Sequence, residues 1–390
     1  MVLNTTTSSE RLHIAFFGCR NAGKSSLVNA VTNQQLSVVS DVKGTTTDPV
    51  KKAMELLPIG PVVIIDTPGF DDEGDLGDLR VAKTNEILGK TDIAVLVVDS
   101  TAGLNDYDKE LIKLFEERKL PFVVVFNKCD LLTSPPPEAG YISLSAKTGD
   151  GVNELRELLG KIAAENKTEK YIIRDRLHAG DVVVLVIPID ESAPKGRLIL
   201  PQQNVLREIL DSHSAAICVQ PDELEQTLKK ITPNLVITDS QVFNKIKNIV
   251  PDNITLTSFS ILMANYRGKL ASLVQGAETL SKLNDGDTVL ISEACTHHRQ
   301  CNDIGTVKFP KWITDYTGKN INFEFTQGGE FPADLSKYRL IIHCGGCMIN
   351  EAEMTTRQNR AQAQNIPMVN YGMAIAYMNG ILERALEVFK

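Results

Sequence analysis

Residues 18–25 read Gly18-Cys19-Arg20-Asn21-Ala22-Gly23-Lys24-Ser25, a G-x-x-x-x-G-K-S segment between the apolar run Leu12–Phe17 and the helical pattern Lys24–Thr32. No other feature constrains the fold so tightly. A loop of this kind cradles phosphate oxygens with its backbone N–H groups when a buried strand leads into it and a helix N-terminus follows, adding positive potential. The first 165 residues repeat that strand–helix alternation. Val62–Ile65, Ile93–Val98 and Phe122–Phe126 are short apolar runs of the type buried on both faces, and Asp106–Glu117 and Val152–Glu165 have helical spacing. The expected fold class is therefore α/β, opening with a P-loop domain built on a mainly parallel sheet. Gly18, Asn21, Ala22, Gly23, Lys24, Ser25 and Ser26 would surround the phosphates, with Lys24 neutralising the β and γ oxygens and the Ser25 hydroxyl holding Mg²⁺.

Three further segments follow strands in an order that specifies the base. Asp66-Thr67-Pro68-Gly69 fits D-x-x-G, which places a carboxylate near Mg²⁺ and the Gly69 N–H near the γ-phosphate. Asn127-Lys128-Cys129-Asp130 fits N-K-x-D. The Asp130 carboxylate can accept from both N1–H and the exocyclic amine of guanine, a donor pair that adenine lacks. Lys128 would lie over the base plane, Asn127 would tie the loop together, and Ser145-Ala146-Lys147 would complete the pocket with the Ala146 N–H aimed at the guanine carbonyl. The expected ligands are GTP and GDP with Mg²⁺.

On these motifs, residues 10–165 resemble the GTPases related to Era and the tRNA-modification GTPase. The resemblance aligns Gly44-Thr45-Thr46-Thr47-Asp48 with the switch segment G-x-T-R-D, which makes Thr46 the second Mg²⁺ ligand and leaves Thr47 where those relatives carry Arg. It also aligns Asn21 with the loop asparagine that coordinates a stimulatory K⁺. Phe70 stands where other GTPases carry a water-orienting Gln, and an apolar ring cannot orient water. The implied chemistry is slow, K⁺-assisted hydrolysis of GTP, with Lys24, Asn21, Thr46 and Gly69 at the reacting phosphate.

At 390 residues, and roughly 150 per domain, two or three domains are expected. Beyond a charged stretch at residues 165–176, a second alternation runs from the strand pattern Asp181–Ile189 to Ile254–Phe259. A third has strand patterns at Thr288–Ala294, Ile321–Thr326, Tyr338–His343 and Pro367–Asn370 and helical patterns at Glu351–Asn365 and Ala374–Phe389. Three α/β domains are read: 1–168, 169–262 and 263–390. Residues 1–10 have neither a basic start nor an apolar core, and no apolar stretch is long enough for a membrane span, so a cytoplasmic protein without membrane association is expected.

Seven cysteines in so long a chain exclude a full disulfide framework. Cys19 and Cys129 occupy variable positions of the nucleotide motifs, and Cys218 reads as a buried thiol of an apolar strand. The other four lie in the last hundred residues. Cys295-Thr296-His297 ends one strand pattern and His343-Cys344-Gly345-Gly346-Cys347 ends another, so a parallel sheet would bring both to one edge. The glycines would let the chain turn so that both flanking thiolates face one centre. Three thiolates with one or two imidazoles suit structural zinc or an iron–sulfur cluster equally, and Cys344 with Cys347 alone could be a redox pair. His297 and His343 read equally as ligands or as ordinary hydrogen-bonded histidines, while His298 and Cys301 read as neighbours.

A C-x-H segment, then H-C-x-x-C at long range, at the end of a chain that opens with this GTPase domain, resembles the HydF family of [FeFe]-hydrogenase maturation GTPases over essentially the whole chain. The resemblance implies a [4Fe–4S] cluster on Cys295, Cys344 and Cys347, with one iron left for His297, His343, a carboxylate or an exchangeable ligand. It implies a middle domain that forms a homodimer, within a homodimeric or higher assembly. It also implies a carrier role, in which a diiron subcluster precursor is received from radical-SAM maturases and delivered to apo-[FeFe]-hydrogenase. The chain has no C-x-x-x-C-x-x-C of its own, so it is not expected to generate radicals.

Two other classes are compatible with parts of the sequence. An RNA-associated GTPase of tRNA modification or ribosome assembly would share the nucleotide motifs, but 41 basic against 49 acidic residues, a formal charge of −8, disfavour nucleic-acid binding. A regulatory GTPase could use the same cysteines for structural zinc.

Overall fold

The computed structural model describes residues 10–33, 50–67, 77–132, 141–166, 169–189, 198–267, 269–294, 303–346 and 348–390. By its internal contacts the chain forms two compact units, Met1–Thr168 with Met348–Thr356, and Glu169–Cys347 with Arg357–Lys390.

In the first unit, β1 (Leu12–Phe17) runs through the middle of a six-stranded sheet ordered β2-β3-β1-β4-β5-β6. The others are β2 (Val50–Leu56), β3 (Gly60–Asp66), β4 (Ile93–Asp99), β5 (Phe122–Asn127) and β6 (Ile142–Ser143). All pairings are parallel except β2 with β3. Side chains alternate between the two faces of a strand. Ile14 and Phe16 therefore join Val95, Val97, Leu27 and Leu155 in one core, while Ala15 and Phe17 join Leu96, Leu111 and Phe115 in another. Burial on both faces explains why these strands read as unbroken apolar runs. β2 had no such signal. It is an edge strand whose Lys51, Lys52 and Glu55 face solvent, and charges there discourage pairing with another chain.

The second unit holds two four-stranded parallel sheets. One is ordered β10-β9-β7-β8, from β7 (Val182–Val186), β8 (Ala215–Val219), β9 (Leu235–Thr238) and β10 (Thr255–Ser258). The other is ordered β12-β11-β13-β14, from β11 (Thr288–Glu293), β12 (Asn322–Gln327), β13 (Leu340–His343) and β14 (Met368–Asn370). A common core joins them through Val184, Val236 and Leu256 on one side and Val289, Ile291 and Ile342 on the other. The helix expected over residues 374–389 is instead two, Tyr371–Met378 and Leu382–Ala385. Gly380 between them takes φ +66°, a left-handed step that ends the first helix. Cys218, expected inside, is exposed, because β8 is an edge strand. No helix among the described residues is long and apolar enough to cross a membrane.

Candidate functional site

The phosphate loop leaves β1 and enters the helix Lys24–Thr32 through Gly23, whose φ of +88° favours a residue without Cβ. Lys24 is buried, and its Nζ donates to the Gly18 and Cys19 carbonyls at 2.8 and 2.7 Å, which holds the ammonium within the loop. Asn21 is exposed on the loop with φ +63°. Ser25 Oγ donates to Asp66 Oδ2 at 2.7 Å, joining the start of the helix to the end of β3. The other carboxylate oxygen, Asp66 Oδ1, is buried with no hydrogen-bond partner among the described residues. A buried orphan oxygen beside a serine hydroxyl fits a hard divalent cation such as Mg²⁺, which takes oxygen ligands.

Asn127 ends β5 and connects the loops. Its Nδ2 donates to Ala22 O and its Oδ1 accepts from Ala146 N, both at 2.9 Å. Asp130 Oδ1 accepts from Ser145 Oγ at 2.7 Å, and the same hydroxyl accepts from the backbone N–H of Lys147 and Thr148. Lys128 Nζ pairs with Asp99 Oδ2 at 2.6 Å. Burial alone would raise the Asp99 carboxyl, but hydrogen bonds from Lys128 and from the Thr101 side chain and backbone hold it below its ordinary value. Asp99 ends β4 and holds the Lys128 ammonium, a role no motif announced. Cys19 is also more than a spacer: Asn105 Nδ2 lies 2.9 Å from its sulfur, tying the loop to the cap of the helix Asp106–Glu117. Thr46 and Gly69 lie outside the described residues.

At the far end of the chain, β11 and β13 are neighbours in register Ser292↔His343, so the segments that follow them leave the same sheet edge. Cys344 is partly buried there. Its sulfur accepts from Ala294 N at 3.1 Å and Gly346 N at 3.4 Å. Backbone N–H groups aimed at a sulfur suit a thiolate, and hydrogen bonds of this kind tune iron–sulfur clusters. Gly346 supplies the turn with φ +66°, and Gly345 does not need a left-handed backbone. Arg267 Nη2 donates to Gly346 O at 3.1 Å. His343 is fully enclosed: Nδ1 lies 2.7 Å from Cys344 O and Nε2 lies 3.1 Å from Arg357 Nη1. Burial, then the Arg357 charge, lowers the imidazole pKa to about 3, so the ring is neutral. Glu293, at the end of β11, is buried and accepts from Tyr371 Oη at 3.1 Å. No group of three or more candidate metal ligands is present among the described residues. Cys295, His297 and Cys347 lie outside them, as do His298 and Cys301.

Arg357, Arg267, Glu293 and Tyr371 were not singled out in the sequence. Their only signal there is proximity to the strand ends, and that emerges once the sheet order is known.

Residues 172–268 match the model of the hydrogen maturase F dimerization domain, and residues 271–388 match that of its tetramerization domain. The chain belongs to the hydrogen maturase F family. Residues 13–128 match the 50S ribosome-binding GTPase model, so the family's two association domains follow a GTPase domain here. Among curated proteins, the tRNA modification GTPase MnmE of Nitrosomonas europaea is 34% identical over 160 residues, covering 40% of this chain and 35% of that protein. MnmE of Heliobacterium modesticaldum is 37% identical over 155 residues, covering 37% and 33%. The chain thus spans about a third of the length of these relatives. Aquifex aeolicus Era bound to GDP and AlF₄⁻ aligns at 20% identity with a TM-score of 0.36, over 53% of this chain and 92% of that one. The G domain of Thermotoga maritima FeoB aligns at 23% identity with a TM-score of 0.27, over 39% and 99%.

Proposed function

We propose that this hydrogen maturase F protein is a GTP-hydrolysing scaffold that carries a [4Fe–4S] cluster on Cys295, Cys344 and Cys347. In this reading it delivers a diiron subcluster precursor, received from radical-SAM maturases, to apo-[FeFe]-hydrogenase. The observation that carries the reading is a phosphate loop tied to the guanine-side loop by Asn127, in a chain whose last domain holds Cys344 at a strand end with two backbone N–H groups on its sulfur. Membership of the family supports the cargo. The division of labour is GTP hydrolysis in 1–168, dimerisation in 169–262 and cluster binding in 263–390, within a cytoplasmic homodimer or higher oligomer.

In the first domain, water attacks the γ-phosphorus of GTP, the bond to the β–γ bridging oxygen breaks, and GDP and phosphate leave. Lys24 would offset charge on the phosphates, while Ser25, Thr46 and Asp66 would hold Mg²⁺. Asn21 would take K⁺, and the Gly69 N–H would face the γ-phosphate. Asp130 reads guanine, with Lys128 over its plane. The nucleotide state would govern partner exchange, through contacts that residues around Thr46 and Asp66 would make with the γ-phosphate and lose on hydrolysis. At the other end, a cluster with three thiolate ligands leaves one iron open to an exchangeable ligand.

Anaerobic reconstitution with iron and sulfide, followed by absorbance and EPR, tests the reading. The expected outcome is a brown protein with a [4Fe–4S]⁺ signal after reduction. Cys344→Ser should abolish that signal and leave GTP turnover within about twofold, because the two sites are built from separate residues. A colourless protein holding stoichiometric zinc would defeat it. The RNA-associated reading rests on the 34% identity to MnmE over the GTPase part alone.

A further inference from the structure

We propose that His343 does not ligate iron but positions Cys344 for the cluster, held in that role by Arg357. The inference rests on the cluster reading above and concerns which residue serves it, and how.

The donor and acceptor count fixes the imidazole. A guanidinium has only donors. Arg357 Nη1 lies 3.1 Å from His343 Nε2, so Nε2 is the acceptor and carries no proton. The neutral ring then bears its proton on Nδ1, which lies 2.7 Å from the Cys344 carbonyl and donates to it. Both ring nitrogens are thereby committed. A histidine binds a metal through a nitrogen lone pair, and the only in-plane lone pair left on this ring points at Arg357.

Arg357 is itself fixed. It is 2% exposed, its Nη2 donates to Gly328 O at 2.7 Å, and its guanidinium carbon lies 5.4 Å from the centre of the Phe331 ring. Turning His343 toward iron would break the Arg357 contact inside a closed site, where a guanidinium group deprived of a partner is costly.

The chain between His343 and Gly346 is held at both ends by such donors. His343 Nδ1 takes the Cys344 carbonyl and Arg267 Nη2 takes the Gly346 carbonyl. Two carbonyls are thus drawn to side-chain donors, while the N–H groups of Ala294 and Gly346 are left for the Cys344 sulfur. An outer partner that orients a metal ligand in this way fixes the ligand's direction and tunes the centre. The open iron position is then left to His297, a carboxylate or an exchangeable ligand.

The test uses the full chain with ¹⁵N-labelled histidine. Metal-free, its two-bond ¹H–¹⁵N spectrum should contain one neutral ring protonated at Nδ1 that disappears in His343→Asn. Arg357→Met should turn that ring into a mixture of tautomers. An Nε2-protonated His343 would overturn the proposal whether or not any cluster forms. After reconstitution, His343→Asn, whose amide can replace the Nδ1 donor, should keep the parent's iron and sulfide content and its EPR line shape. His343→Leu, which cannot donate, should lose at least half of the iron or move the reduction midpoint to lower potential. A strongly coupled histidine nitrogen in the parent's pulsed EPR that vanishes in His343→Asn would also overturn the proposal. Should the parent bind zinc and no iron, the cluster reading falls, and with it the role for His343 toward iron, while the tautomer spectrum still decides whether Arg357 fixes the ring.

Discussion

Replacing Asn127 by Ala removes a side chain that binds the phosphate loop to the base loop. Asn127 is 2% exposed and makes one bond in each direction, to Ala22 O and from Ala146 N, both at 2.9 Å. Leaving a buried donor or acceptor unsatisfied costs about 1–3 kcal/mol; the Ala22 bond is buried and the Ala146 bond only partly so, at about 1 kcal/mol, so the two together are worth roughly 2–4 kcal/mol. In the free variant the two loops can relax toward water, which lessens the loss of fold stability. Binding GDP must bring them back together, so the remainder appears as weaker binding. If all of it fell on binding, affinity would drop roughly 30- to 1,000-fold. Titration calorimetry with GDP, combined with urea unfolding of the free protein, measures the two parts, and their sum is the quantity at issue. A sum below about 1 kcal/mol would refute the bridging role, because it is less than one such buried bond is worth. Gly23→Ala gives an independent check, since its Cβ would fall 2.2 Å from Asn127 Nδ2. In the Asn127→Ala background that clash is gone, so the double variant should lose less than the sum of the two single losses.

Three other outcomes are expected. GTP turnover should be several-fold faster in K⁺ than in Na⁺ buffer if Asn21 holds the monovalent cation, and equal rates would sink that assignment. Gly276 lies in the helix Leu270–Glu278, where a Cβ would meet Met368 O at 2.0 Å; Gly276→Ala should cost about 1–2 kcal/mol in urea unfolding, as overpacking outweighs the gain in helix propensity. Burial, reinforced by the Glu293 carboxylate, raises the Tyr371 phenol well above its ordinary value. A group whose pKa rises on folding contributes stability that is intact below the unfolded value near 10 and lost as pH climbs above it. The parent should therefore lose roughly 1 kcal/mol more than Tyr371→Phe between pH 9 and pH 11 in denaturant unfolding.

The nucleotide loops were legible because their chemistry is local. Gly23, Lys24 and Ser25 must sit together on a strand-to-helix turn to cradle phosphate, and Asn127 with Asp130 must follow a strand to read a base. Spacing in sequence is spacing in space for such groups. The paired faces of β1 were legible for the same reason, since burial on both sides demands an unbroken apolar run. β2 was not. An exposed, charged edge strand has no apolar signal, and its pairing with β3 decides its conformation. Cys218 was misread because an apolar strand looks the same in sequence whether it lies inside a sheet or at its edge.

What the sequence determined by itself is the order of the parts: a phosphate loop, a guanine-reading loop, and cysteines placed after two distant strands. What only the tertiary structure decided is how side chains far apart in sequence share a proton or a charge. Asp99 meets Lys128, Tyr371 meets Glu293, and Arg357 meets His343. None of these pairs has a spacing rule. Each exists because parallel strands set their ends side by side and the helices between them carry the partners there. The direction in which His343 points is fixed by that packing, since a ring nitrogen accepts from a guanidinium only where the fold has brought one.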